Sequence, residues 1–173
     1  MASLIDKSHF PVSRSEIPWA LRTGALGGFV AGLVFAAFEM TMTAAMMGMD
    51  AFFMPLRMIG AILLGPMALD PSYPLLNASL AGLAVHVPLA ILYGVIFAIV
   101  IGGLRSAAAD TTLGAIYGLG LWLINFYLIA PAAFPWFLMS SPLVQFIAHT
   151  FFFGAVLGWF VWRSRERAAA MPP

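Results

Sequence analysis

The chain has 173 residues, 62% of them hydrophobic and 9% charged, with a formal net charge of +1 and no cysteine. That balance lies far from a soluble domain's and leaves no basic surface for nucleic acid. The missing cysteine excludes disulfides, thiolate metal sites and c-type haem attachment.

Residues 1–22 form a polar N-terminal segment. No apolar run there precedes a small-residue cleavage site, so the first helix is expected to act as its own insertion signal. Ser13-Arg-Ser-Glu16 has the pattern of a capping box, Pro18 falls in a first turn, and Trp19 suits a membrane interface. A first span is predicted over 23–47. It carries Gly24, Gly28 and Gly32 at four-residue spacing, a smooth strip for close helix approach.

Residues 51–69 are interrupted by Pro55, Arg57, Gly65 and Pro66, and their apolar run Met58 to Leu64 is too short to cross. If this stretch stays on one side, Lys7, Arg14, Arg22, Arg105, Arg163, Arg165 and Arg167 all share the other. The positive-inside rule favours that arrangement. The segment therefore reads as an interfacial or re-entrant outer helix, with Arg57 alone on the wrong side.

The second span, 76–104, has no formal charge and a single histidine, His86. At about 1.5 Å per residue it is long enough to cross a ~30 Å hydrocarbon layer with some tilt. A third span follows over 111–130, with Asp110-Thr-Thr as its cap, Gly114 and Gly118 on it, and Pro131 and Pro135 ending it. A fourth is predicted over 142–162, opened by Ser141-Pro142 and carrying Gly154 and Gly158; residues 163–173 form a basic tail. The expected fold is a single all-α membrane domain. It is a four-transmembrane-helix bundle with one extra interfacial or re-entrant helix and both termini cytoplasmic, in a membrane of bacterial inner type.

A weak internal repeat runs through these spans. Gly28 to Glu39 is the same interval as Gly114 to Asn125, and His86 with Gly94 answers His149 with Gly154 and Gly158. The two helix pairs then run in the same direction, as parallel repeats do.

Placed by depth, Glu39, His86, Asn125 and His149 each lie roughly 9–15 Å below the outer surface, one strongly polar group per span. Such groups are costly in lipid and are expected to face the bundle interior as a polar network. The pattern admits three uses. His86 and His149 could be axial ligands of a b-type haem. Glu39, His86 and His149 together could hold a transition metal or relay protons. All four could simply glue the helices together, with no cofactor. Met40, Met42, Met46, Met47, Met49, Met54 and Met58 read as packing.

No phosphate loop and no nucleophile beside a base is visible, so the chain does not read as an enzyme. The leading expectation is a small accessory or scaffolding subunit of a larger membrane complex. Its partners would be membrane lipids and other membrane subunits or a second copy of itself. Ala51–Leu69 and Phe134–Leu138 are the expected contact surfaces. The alternatives are a haem- or metal-binding electron-transfer protein and a small proton-coupled transporter or sensor centred on Glu39.

At AVHVPLAILYG (84–94) and IAHTFFFGAVLG (147–158) the sequence resembles a group of small four-helix bacterial inner-membrane proteins of uncharacterised role. Their pattern is a glycine-rich first helix, an alanine-histidine helix ending in Tyr-Gly, and a last helix with histidine before spaced glycines. The resemblance spans about residues 24–160; here the first histidine follows Val85 instead of alanine. It implies a four-helix membrane protein and no particular reaction.

Overall fold

A computed structural model of the chain describes residues 13–101 and 106–170. The expectations placed on residues 1–12, on the Arg105 turn and on 171–173 lie outside the described residues. Within them every regular element is helical. Four helices are long and apolar enough to cross a membrane: α1 (Ile17–Met47), α3 (Leu75–Ile101), α4 (Ala107–Ala133) and α5 (Pro142–Ala170). The fifth, α2 (Met54–Leu64), is too short to span. The chain is an all-α integral membrane protein of the expected architecture.

Local chemistry explains the helix ends. Ser13 N–H and its hydroxyl both donate to Glu16 Oε2, at 3.1 and 2.9 Å, and α1 begins at the next residue. The third span begins four residues earlier than expected. Ser106, not Asp110, is its N-cap, with its hydroxyl accepting from Ala109 N–H at 3.2 Å. Asp110 is buried in the first turn, against the last helix. At the other end the helix continues past Pro131. A wider π-type turn over Leu123–Ile129 absorbs the backbone disturbance of a residue that has no N–H to donate. The basic stretch after Trp162 is helical too, to Ala170.

Glycine dictates how the spans meet. A methyl added at Gly28 would collide with the Ala90 carbonyl, and one at Gly24 would lie 2.6 Å from the backbone of Gly94 and Val95. Gly32 meets the Ala90 side chain. The second pair is built alike. Gly114 abuts the Gly154 carbonyl, Gly118 the His149 carbonyl, and Gly158 the Asp110 carbonyl. The repeat seen in the sequence is therefore a repeat of contacts. It has one irregularity: His86 lies four residues before Ala90, whereas His149 lies five before its counterpart Gly154. The π-type turn Ala148–Ala155 takes up that extra residue.

Arg165 at the far end of α5 reaches Glu16 at the start of α1 (3.1 Å) and covers the Trp19 ring at 4.4 Å. The two ends of the described chain thus share one end of the bundle. Next to that end the interior is packed solid by Ala20, Phe97, Leu157 and Val161.

The opposite end is built differently. α2 runs antiparallel to α3, with Leu56 against Gly82 and Gly60 against Ala78. Gly82 is seven residues into α3, so α2 starts roughly 10 Å below that helix's end and climbs back out. Arg57 is not stranded on the wrong side; its guanidinium is buried and donates to the carbonyls of Ala68 (2.9 Å), Asp70 (2.8 Å) and Tyr73 (3.2 Å). It ties the return loop to α2.

Candidate functional site

Above the packed half, the helices diverge around a cavity of about 730 Å³. All four polar residues singled out by depth, Glu39, His86, Asn125 and His149, line it. The expectation that they satisfy one another is not what the side chains do. Their partners are Gln145, which serves both Glu39 and His149, the Gly32 carbonyl and Tyr93.

Glu39 is 5% exposed, and its Oε2 accepts from Gln145 Nε2 at 2.8 Å. Its other oxygen, Oε1, is buried with no hydrogen-bond partner. Gln145 is one helical turn before His149, and its carbonyl accepts from His149 Nδ1 at 2.8 Å. His86 Nε2 donates to the Gly32 carbonyl, also at 2.8 Å. That bond is possible because the glycine strip brings α1 and α3 together and leaves the α1 backbone uncovered. Asn125 Oδ1 faces the Tyr93 hydroxyl at 3.4 Å, and the Tyr117 hydroxyl donates to the Tyr93 carbonyl at 2.9 Å. Phe35 touches both imidazoles, stacked on His86 with centroids 5.6 Å apart and edge-on to His149 at 4.9 Å.

Apart from the hydroxyls of Thr43, Ser140 and Ser141, the remainder of the lining is apolar and soft. Met42, Met46, Met54 and Met58 contribute flexible thioethers, and Phe134 and Phe137 add aromatic surface from the outer loop. That loop and α2 had been expected to serve as contact surfaces for other subunits. Here they are engaged with each other: Trp136 Nε1 donates to the Met58 carbonyl at 2.9 Å and packs with Ala61 and Leu64. The glycines expected to allow close helix approach do so inside the bundle. Gly27, facing Phe160 and Leu157, and the pair Gly60 and Gly82 do the same work without having been singled out.

The three-ligand metal set is corrected by this geometry. Among the described residues no three of histidine, cysteine, aspartate and glutamate gather closely enough to hold a metal ion. Glu39 is turned to Gln145 instead. Each histidine holds a backbone carbonyl through one ring nitrogen, an arrangement that fixes the ring and leaves the second nitrogen for another partner. A cavity of this size, apolar with a few convergent polar groups, has the make-up of a small-molecule site.

No protein-family model, no curated protein and no solved structure matches this chain.

Proposed function

We propose that the chain is a membrane-embedded binding protein that takes a lipophilic small molecule into the cavity between its helices. The observation that carries this reading is the division of the bundle into two halves. One half is closed by glycine contacts and a dense core; the other is left open around about 730 Å³ at the level of Glu39, His86 and His149. A bundle whose polar residues served only as glue would close around them, because empty space forfeits dispersion contacts and costs stability. The methionine-rich wall suits an adaptable apolar body, and the polar band suits one hydrogen-bonding head.

The accessory-subunit reading rests on the absence of catalytic residues and on small-residue faces. Those faces are spent within the chain, which makes the cavity the more specific feature. No further contact favours haem over another occupant.

The test uses energy transfer from Trp122 and Trp136 to a pyrene-bearing lipophile, with the protein in zwitterionic lipid nanodiscs. Binding to a site gives saturable transfer that an unlabelled analogue competes away. A double variant, Val85→Phe with Val144→Phe, fills the cavity from two walls and should abolish the saturable part while leaving the helical circular dichroism intact. Transfer that never saturates, or that the filled variant retains in full, would overturn the reading.

A further inference from the structure

The hydrogen-bond roles around the cavity restrict what its occupant can be; the inference rests on the binding-protein reading above. A carbonyl oxygen only accepts, so the ring nitrogens held by Gly32 and Gln145 must carry hydrogens. In the neutral rings this leaves Nδ1 of His86 and Nε2 of His149 as lone-pair acceptors. Glu39 Oε1 is a third acceptor, buried and without a partner. Gln145 spends an N–H on Glu39 and keeps its own carbonyl oxygen. The Tyr93 hydroxyl is directed to Asn125. Glu39 Oε1, His86 Nδ1 and His149 Nε2 are thus acceptors, in a lining that also holds the Asn125 amide and the hydroxyls of Thr43, Ser140 and Ser141.

Charge points the same way. Among the described residues, Glu39 is the only formally charged side chain in the lining, and neither Lys nor Arg contributes to it. Arg57, the nearest buried cation on α2, is committed to three loop carbonyls. A ligand carboxylate or phosphate would meet the like charge of Glu39 and no cation. An aprotic ligand would leave Glu39 Oε1 as orphaned as it is now, and buried unpaired polar groups are costly.

We infer that the cavity binds a lipophilic primary amine, its ammonium group set against Glu39 and its apolar body among the methionines and phenylalanines. An ammonium carries N–H donors and a positive charge, and Glu39 Oε1 is a buried acceptor without a partner that one of those donors can satisfy. Pairing a buried carboxylate with a ligand cation removes the uncompensated charge that a buried carboxylate alone would carry. Phe35, stacked on His86 within the same lining, adds an aromatic surface of the kind that favours cations.

Three matched probes separate this from the general reading: pyrenylmethylamine, pyrenylmethanol and pyrenecarboxylate, each titrated into nanodisc-embedded protein by tryptophan-to-pyrene transfer. The amine should bind about tenfold or more tighter than the alcohol, and the carboxylate should bind weakest. Glu39→Gln keeps a hydrogen-bonding side chain opposite Gln145 and removes the charge. It should weaken the amine by about tenfold and shift the alcohol by no more than about twofold. Should that variant fail to fold, the amine-to-alcohol ratio of the unaltered protein still decides. Equal affinity for amine and alcohol, preference for the carboxylate, or equal weakening of all probes by Glu39→Gln would overturn the inference and leave the cavity reading standing. Saturable transfer from none of the three would overturn both.

Discussion

Gln145 donates to Glu39 across 2.8 Å, a bond that joins the first spanning helix to the last at the level of the cavity. Truncating one partner strands the other in an apolar surround, whereas replacing both removes the need for either. Gln145→Leu should therefore lower unfolding free energy by about 1–3 kcal/mol. The double variant Glu39→Met with Gln145→Leu should recover most of that loss. Thermal melts in one detergent, run as a double-mutant cycle, give the coupling; additive losses would show that the bond is not the link described here.

Arg57 holds the return loop by three carbonyls from inside the fold. Arg57→Met leaves those carbonyls to be satisfied otherwise and should cost on the order of 3 kcal/mol in the same melts. Lysine has the charge without the planar fork, so Arg57→Lys should regain less than half of the stability. Full rescue by lysine would mean that charge alone matters.

The glycines divide into those that touch a neighbouring backbone and those that do not. Gly28 and Gly114 face carbonyls of the partner helix, whereas nothing lies within reach of a methyl at Gly120. Gly28→Ala or Gly114→Ala must push two helices apart and should reduce the folded yield sharply. Gly120→Ala gains helix propensity and should stabilise by up to about 1 kcal/mol. Comparing melting midpoints and size-exclusion profiles of the three variants checks the contrast.

How far the sequence foretold this arrangement follows from what hydropathy and spacing encode. The spans and the non-crossing segment were legible because uninterrupted apolar length is itself the signal. The Gly28 and Gly114 rows were legible because four-residue spacing fixes one helix face. The cavity was not legible. α3 is apolar all round, so no polar side tells which face turns inward. Gln145, four residues before His149 on the same helix face, was the readable clue to the Glu39 bond. The interval from histidine to glycine, one residue longer in α5 than in α3, was likewise the trace of the π-type turn.

Outside the spans, Ser72 donates to Asp70 Oδ1 from its hydroxyl (2.6 Å) and its N–H (2.8 Å), and these bonds hold the Asp70 carboxyl below its ordinary value of 3.8. A lowered folded-state value means the carboxylate form favours the turn. Its contribution is fully present above the ordinary value and is lost as pH falls through the lowered one. Amide exchange at Ser72 and Tyr73 should accelerate on acidification through that range beyond the intrinsic trend. Asp70→Asn should remove the dependence.

The absence of cysteine makes the topology directly testable, because any single introduced thiol is the only one in the chain. The charge bias predicts that the end holding Arg163, Arg165 and Arg167 faces the cytoplasm. Ser72 and Ser140 belong to the opposite end, beside α2 and the Trp136 loop, whereas Ser164 is in the last turns of α5. In intact cells an impermeant maleimide should label Ser72→Cys and leave Ser164→Cys untouched until the membrane is opened. Ser140→Cys should label more slowly than Ser72→Cys, since Ser140 is half-buried and its hydroxyl lies 3.8 Å from the Met58 sulfur. Labelling of Ser164→Cys in intact cells would invert the orientation and place the cavity on the cytoplasmic side. Labelling of Ser72→Cys and Ser164→Cys from the same side would remove the four-span arrangement altogether, since the two positions are at opposite ends of the bundle.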